Sequence, residues 1–173
     1  MDLNNSFLEA CRIGDENAGV EALISGANVE TTDADGNTGL HLLLNLPPNK
    51  FSLVLAEAII INFKAKPNVK NTSHLSTPLH FACRNKHREV VKLMMVNPKL
   101  DTNAKDVDGC TPLHEACICG DADLISDLLV KQADVRSLVL GWNCLHLASF
   151  FGHVPATVLL MDHGLSAKST TGE

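Results

Sequence analysis

His114 and Cys117 stand three residues apart in the stretch Thr111-Pro112-Leu113-His114-Glu115-Ala116-Cys117, a spacing that puts them on one face of a helix. An imidazole beside a thiol is what a cysteine nucleophile needs, a base next to the group it deprotonates. The chain's eight histidines and six cysteines would also suffice for zinc. Arg84, Lys86 and Arg88, with His87 among them, form a basic cluster of the kind that meets phosphate. Residue types alone thus permit catalysis, metal binding and nucleic-acid binding, and the elements that carry them must decide.

Asp108-Gly109 reads as a tight turn, followed by Thr111 as a helix N-cap and Pro112 in the first helical turn, where its missing N–H costs nothing. Gly120 ends that helix, and a second begins near Asp121 with Leu124, Ile125, Leu128 and Leu129 along one buried stripe. Thr77-Pro78-Leu79-His80-Phe81-Ala82-Cys83 repeats the phrase almost unchanged. Thr38-Gly39-Leu40-His41 and Asn143-Cys144-Leu145-His146-Leu147-Ala148-Ser149 are weaker copies. Asn5-Ser6-Phe7-Leu8-Glu9-Ala10-Cys11 keeps only the apolar and small positions. The units start at 5, 38, 77, 111 and 143, a period near 33.

A Thr-Pro-Leu-His signature at this period resembles the ankyrin repeat, a β-turn followed by two helices. The resemblance covers nearly the whole chain and implies an all-α solenoid of stacked helix-turn-helix units with β-turn or hairpin fingers. One array of five repeats is expected over 1–173, at about 5–37, 38–76, 77–110, 111–142 and 143–172. In that family the motif His bonds the Thr of its own motif and the backbone of the neighbouring turn. His41, His80, His114 and His146 are then architectural, and no catalytic residue is expected. Stacked repeats lie roughly 10 Å apart, too far for neighbouring histidines to share a metal. Cys11, Cys83 and Cys117 share one position, where a small side chain permits close helix packing, and Cys117 and Cys119 point to different faces. No metal, no cofactor and no small-molecule substrate are expected.

The formal net charge of −6 is banded. Residues 1–36 carry eight acids and one base, residues 64–92 seven bases and one acid, and residues 101–134 eight acids and two bases. In a linear array these bands become a positive girdle between negative flanks, either a plain solvated surface or a means of steering an acidic partner to Arg84, Lys86 and Arg88. Without aromatic interleaving, in an acidic protein, the cluster gives no expectation of nucleic-acid binding. The N-terminus has no signal-peptide pattern, and the apolar run Leu53 to Ile61 is too short to span a bilayer. An intracellular, cytoplasmic chain is expected, with the nucleus as the alternative.

Departures from the repeat pattern carry the remaining information. Repeat one is polar and reads as an N-terminal cap, its first helix starting near Asn4-Asn5-Ser6. In repeat two Pro47-Pro48 ends the first helix, and Asn49 is placed to cap a longer second helix through Phe63. The pair Met94-Met95 is expected in the core. Pro155 is tolerated in a first helical turn. The chain stops where a further motif would begin, which fits the N-terminal part of a longer protein or an abrupt end.

The exit of repeat four departs most, with Ser137-Leu138-Val139-Leu140-Gly141-Trp142 in place of a polar Asp-Gly turn. At the exposed recognition positions of the family this puts Val139, Leu140, Trp142, Phe150 and Phe151, against Val107, Asp108, Cys110, Ile118 and Cys119 one repeat earlier. Apolar clusters with aromatic anchors make binding hot spots, so repeats four and five are the expected partner site, with Ile118 counted among its residues. The alternative is that these side chains pack on each other or on a missing sixth repeat. A protein–protein interaction module or scaffold is the expected function. A self-contained inhibitor resembling the ankyrin inhibitors of transcription factors, or a regulatory region of an enzyme or channel, are the alternatives.

Overall fold

The computed structural model describes residues 2–165. Among these residues ten α-helices run in five antiparallel pairs: α1 (Leu3–Ile13) with α2 (Glu16–Ile24), α3 (Gly39–Leu44) with α4 (Leu53–Glu57), α5 (Pro78–Arg84) with α6 (Arg88–Met95), α7 (Pro112–Cys119) with α8 (Ala122–Val130), and α9 (Cys144–Phe150) with α10 (Val154–Asp162). First helices stack in the order α1, α3, α5, α7, α9, while α2 packs on α4, α4 on α6 and α8 on α10. The apolar core is therefore continuous along the array, as expected when a short helix pair cannot bury its face alone. Among the described residues the only β pairing is two isolated bridges, Thr32 with Thr38 and Val139 with Trp142, at the bases of fingers.

The motif sets each first helix by the same chemistry. Thr77 and Thr111 cap α5 and α7 with Pro at the first helical position, and Asn143 caps α9 through its Oδ1, which accepts from His146 N at 3.0 Å. Gly39 replaces that Pro in α3 because a Cβ there would meet Phe7 Cζ at 2.5 Å. Met94 and Met95 are buried, and Pro155 lies in the first turn of α10.

Two helix starts differ from expectation. The cap of α1 is Asp2, whose carboxylate accepts from Asn4 N at 3.1 Å, while Asn4 Oδ1 is used at 2.8 Å by Asn28 N. The cap of α4 is Ser52 rather than Asn49. After Pro47-Pro48 the chain turns, with Lys50 and Phe51 N–H both bonding Pro47 O, so the helix starts only where Ser52 Oγ can take Leu55 N and give its proton to Glu16. Residues 45–52 thus absorb the insertion as a long inter-helix turn. The second helix does not stay α either: Ala58–Asn62 is a π turn.

Candidate partner-binding surface

The motif histidines are consumed by the architecture. Thr38, Thr77 and Thr111 N–H each donate to the Nδ1 of His41, His80 and His114, at 3.1 Å in all three repeats. Nδ1 is therefore the acceptor, and the proton sits on Nε2, which donates forward to Ser76, Cys110 and Ser137 carbonyls at 3.1, 3.1 and 3.0 Å. Each ring thus ties its helix to the finger of the next repeat. Burial pushes all three imidazoles down in pKa, His41 to about 4. His114, with both nitrogens taken, has no means of acting as a base for Cys117. That thiol is held up in pKa by its hydrogen bond with Cys144 and by burial, and burial holds Cys11 up to about 12. Raised thiols are poor nucleophiles.

The cysteines are all free. Asp106, Cys110 and Glu115 bring ligand-type atoms within 4.8 Å of one another. All three already hold hydrogen bonds within the fold. Asp106 accepts from Asp108 and Cys110 N–H, and Glu115 is gripped by Arg84 Nε at 3.1 Å and by Arg84 Nη2.

The basic cluster divides by what it touches. Arg84 forks onto the buried Glu115 of the next repeat. Arg88 forks onto Asp121 and also meets Asp123, at 2.6 Å in each case. Two charges of the expected girdle are thus balanced by acids one repeat on. Lys86 is exposed, at φ +59°, and takes no ion pair among the described residues. Between the fingers and helices α3 and α5 lies a polar groove of about 280 Å³, lined by Asp35, His74, Phe81 and Arg84 among others.

The four fingers are not alike. In the first and third, Asp33 and Asp106 each accept two backbone N–H groups across the loop, and Gly36 and Gly109 take the left-handed position. The second finger bonds to the first through Thr72 N to Asp35 O, and the third to the second through Val107 N to His74 O, both at 2.8 Å. The fourth is a two-residue hairpin. Val139 and Trp142 exchange both backbone bonds at 2.9 Å, and Leu140 and Gly141 stand at φ +51° and +81°. Two positive φ values in succession make a type I′ turn, whose first corner favours Asn, Asp or Gly. In this finger it is a leucine. Among the described residues no backbone bond ties this finger to the third, and at its base Ser137 Oγ and Asn143 Nδ2 are buried without a partner.

This finger and the helix behind it carry an open apolar surface. Leu140 is 85% exposed, Trp142 40%, Phe150 69% and Phe151 48%. The aromatic rings meet edge to face, Trp142 on Phe150 and Phe150 on Phe151, each at 5.2 Å, and Phe151 then stacks on His153. Val139 stands apart from this group: it is buried, because the hairpin turns its side chain into the core. Ile118 is partly buried against the same core. Residues 137–161 contain no Asp, Glu, Lys or Arg, a signal present in the sequence that escapes a comparison of apolar positions one repeat at a time.

A stacked helical array with fingers on one edge and an open apolar corner is the form of a recognition scaffold. A family model described as ankyrin repeats (3 copies) matches residues 7–106 and 79–171, and the chain belongs to the ankyrin repeat family. It is 37% identical over 119 residues, 65% of this chain, to SMC5-SMC6 complex localization factor protein 1 of Bos taurus. To neurogenic locus notch homolog protein 1 of Homo sapiens it is 31% identical over 144 residues, 82% of the chain. To transient receptor potential cation channel subfamily A member 1 of Drosophila melanogaster it is 31% identical over 111 residues, 61% of the chain. The chain spans only 11%, 5% and 9% of those proteins. Among the described residues no helix is long and apolar enough to cross a membrane.

Proposed function

We propose that this chain is a non-catalytic recognition module that captures another protein through the apolar corner formed by Leu140, Trp142, Phe150 and Phe151. The observation that carries this is the cluster itself: four large apolar side chains open to water, three of them rings in edge contact, with no charged residue in the segment that bears them. Held rings lose little freedom on binding and give up apolar area, the recipe of an interface hot spot. The strained corner at Leu140 supports the same assignment, since exposing a leucine at positive φ gains the fold nothing. Val139 is buried and Ile118 partly buried, so neither leads the contact with the partner.

Lys86 remains to bias the approach of an acidic partner, while Arg84 and Arg88 act chiefly between repeats. The bovine relative is named as a localization factor, and recruitment by binding is the kind of role we assign to this chain. The test is a photo-crosslinking side chain at position 140 in the living cell, with recovered proteins then measured for binding to purified chain. Trp142→Ala with Phe150→Ala should weaken capture by roughly a hundredfold or more, with little change in melting temperature. Capture that persists while stability falls would mean that the rings serve packing.

A further inference from the structure

Three places before each motif, Asp35, His74, Asp108 and Leu140 stand exposed on successive fingertips. The next residue is left-handed in every finger, and in three of them it is a glycine, Gly36, Gly109 and Gly141. In the second finger it is Leu75, at φ +56° and 44% exposed, a leucine in a glycine's place with little burial to offset the strain. On the third finger Val107 is 58% exposed. The second, third and fourth fingers therefore each hold an aliphatic side chain out to water: Leu75, Val107 and Leu140. These fingers are neighbours, since Val107 N donates to His74 O at 2.8 Å and a Cβ added at Gly109 would lie 4.0 Å from Leu138 O. Charge on this edge has one sign. Residues 33–37, 72–76, 106–110 and 138–142 include Asp33, Asp35, Asp106 and Asp108 and no Lys or Arg. Asp33 meets Arg12, but Asp35 and Asp108 make no ion pair among the described residues.

We propose that the partner held at the apolar corner presents an α-helix that continues along the finger edge. Apolar residues seven apart on that helix meet Leu140, Val107 and Leu75, and Lys or Arg beside them meet Asp108 and Asp35. This rests on the reading of the corner as a partner site and extends it to two further fingers, with Leu140 common to both. Spacing selects the helix. Repeats stack roughly 10 Å apart, and seven residues of α-helix rise about 10.5 Å while returning to the same face. An extended segment covers that distance in about three residues, and because its side chains alternate, neighbouring fingers would meet opposite faces of it. A helix offers a like side chain to each finger. Charge selects what flanks the apolar stripe, since carboxylates without a counter-charge favour cations and repel an acidic flank. Lys86 lies beyond the other end of α5, so the acidic residues it attracts belong to the far side of the partner helix.

The test places the photo-crosslinking side chain at 75 and at 107 as well as at 140, in the whole chain, and locates the crosslinked residues of the recovered protein by mass spectrometry. All three positions should mark one segment of one protein, about seven residues apart between adjacent fingers and about fourteen between the outer two. With that protein purified, Leu75→Gly should weaken binding at least about fivefold while keeping or raising the melting temperature, because glycine is what the other fingers carry. Asp108→Lys should weaken binding by about as much and flatten its dependence on salt. Marks about three residues apart would mean an extended segment and overturn the proposal. Leu75→Gly and Asp108→Lys chains that bind as tightly as the unaltered chain would overturn it as well. Marks from 140 with silence at 75 and 107 would do the same and leave the apolar corner standing, whereas silence at all three would remove the corner too.

Discussion

A buried imidazole that accepts at Nδ1 and donates at Nε2 is useful only while neutral, and three such rings make the array sensitive to acid. The unfolded chain takes up protons on these histidines near pH 6.5, whereas folded His41 resists protonation until about pH 4. Stability is therefore full above pH 6.5 and falls as pH drops through that window, on the order of 3 kcal/mol from His41 alone at its lower end. His80 and His114 shift in the same direction. Thermal melts between about pH 7.5 and pH 4.5 should show the decline. A flat profile would mean that the rings are not neutral as assigned.

The ion pairs between repeats differ in what is left behind when one is cut. Arg84→Ala strands Glu115, whose side chain is 7% exposed, and should cost about 2 kcal/mol, less than a fully buried pair because Arg84 is half in water. Arg88→Ala leaves Asp121 still accepting from Leu124 N as the cap of α8 and should cost less. Urea midpoints for the two variants would rank them, and an equal or reversed order would contradict these roles.

Among the elements, the fourth finger is where local preference and conformation disagree. Leucine at the first corner of a type I′ turn sits in the left-handed region at a cost of about 1 kcal/mol, where asparagine fits. Leu140→Asn should therefore raise the melting temperature by a few degrees while reducing partner capture. A lower melting temperature would show Leu140 to be a packing residue. The second repeat resolves a different conflict: its insertion is taken up by residues 45–52 and by the π turn Ala58–Asn62, so the stack continues in phase into α5.

For the molecule as a whole, each repeat is tuned to its neighbour more closely than the repeat pattern indicates. Phe7, fully buried, reaches from α1 into the space that Pro occupies at the start of α5 and α7, and Gly39 leaves room for it. Gly39→Ala should cost about 1–3 kcal/mol by overpacking despite the better helix propensity of alanine. Differential scanning calorimetry would detect it, and a gain in stability would mean that Phe7 is not packed tightly against this backbone.

Periodicity made the helix pairs, their caps at Thr77, Thr111 and Asn143 and the buried small residues at Cys11, Cys83 and Cys117 legible from the chain alone, and the resemblance to the ankyrin repeat implied the structural role of the motif histidines. Those features depend on local rules that recur in every repeat, and a rule repeated at a fixed interval is its own confirmation. The apolar corner was legible for the same reason, as a break in the pattern at Leu140, Trp142, Phe150 and Phe151. Contacts across repeats decided the rest. The pairing of Arg84 and Arg88 with Glu115, Asp121 and Asp123 spans 31 to 35 residues, so a charge count along the chain saw a positive girdle where folding brings the opposite charges together. Ser52 caps α4 instead of Asn49 because Glu16, 36 residues earlier, holds its hydroxyl. Val139 is buried and Leu140 exposed because a two-residue hairpin points neighbouring side chains to opposite sides, a distinction made by φ angles rather than by residue type.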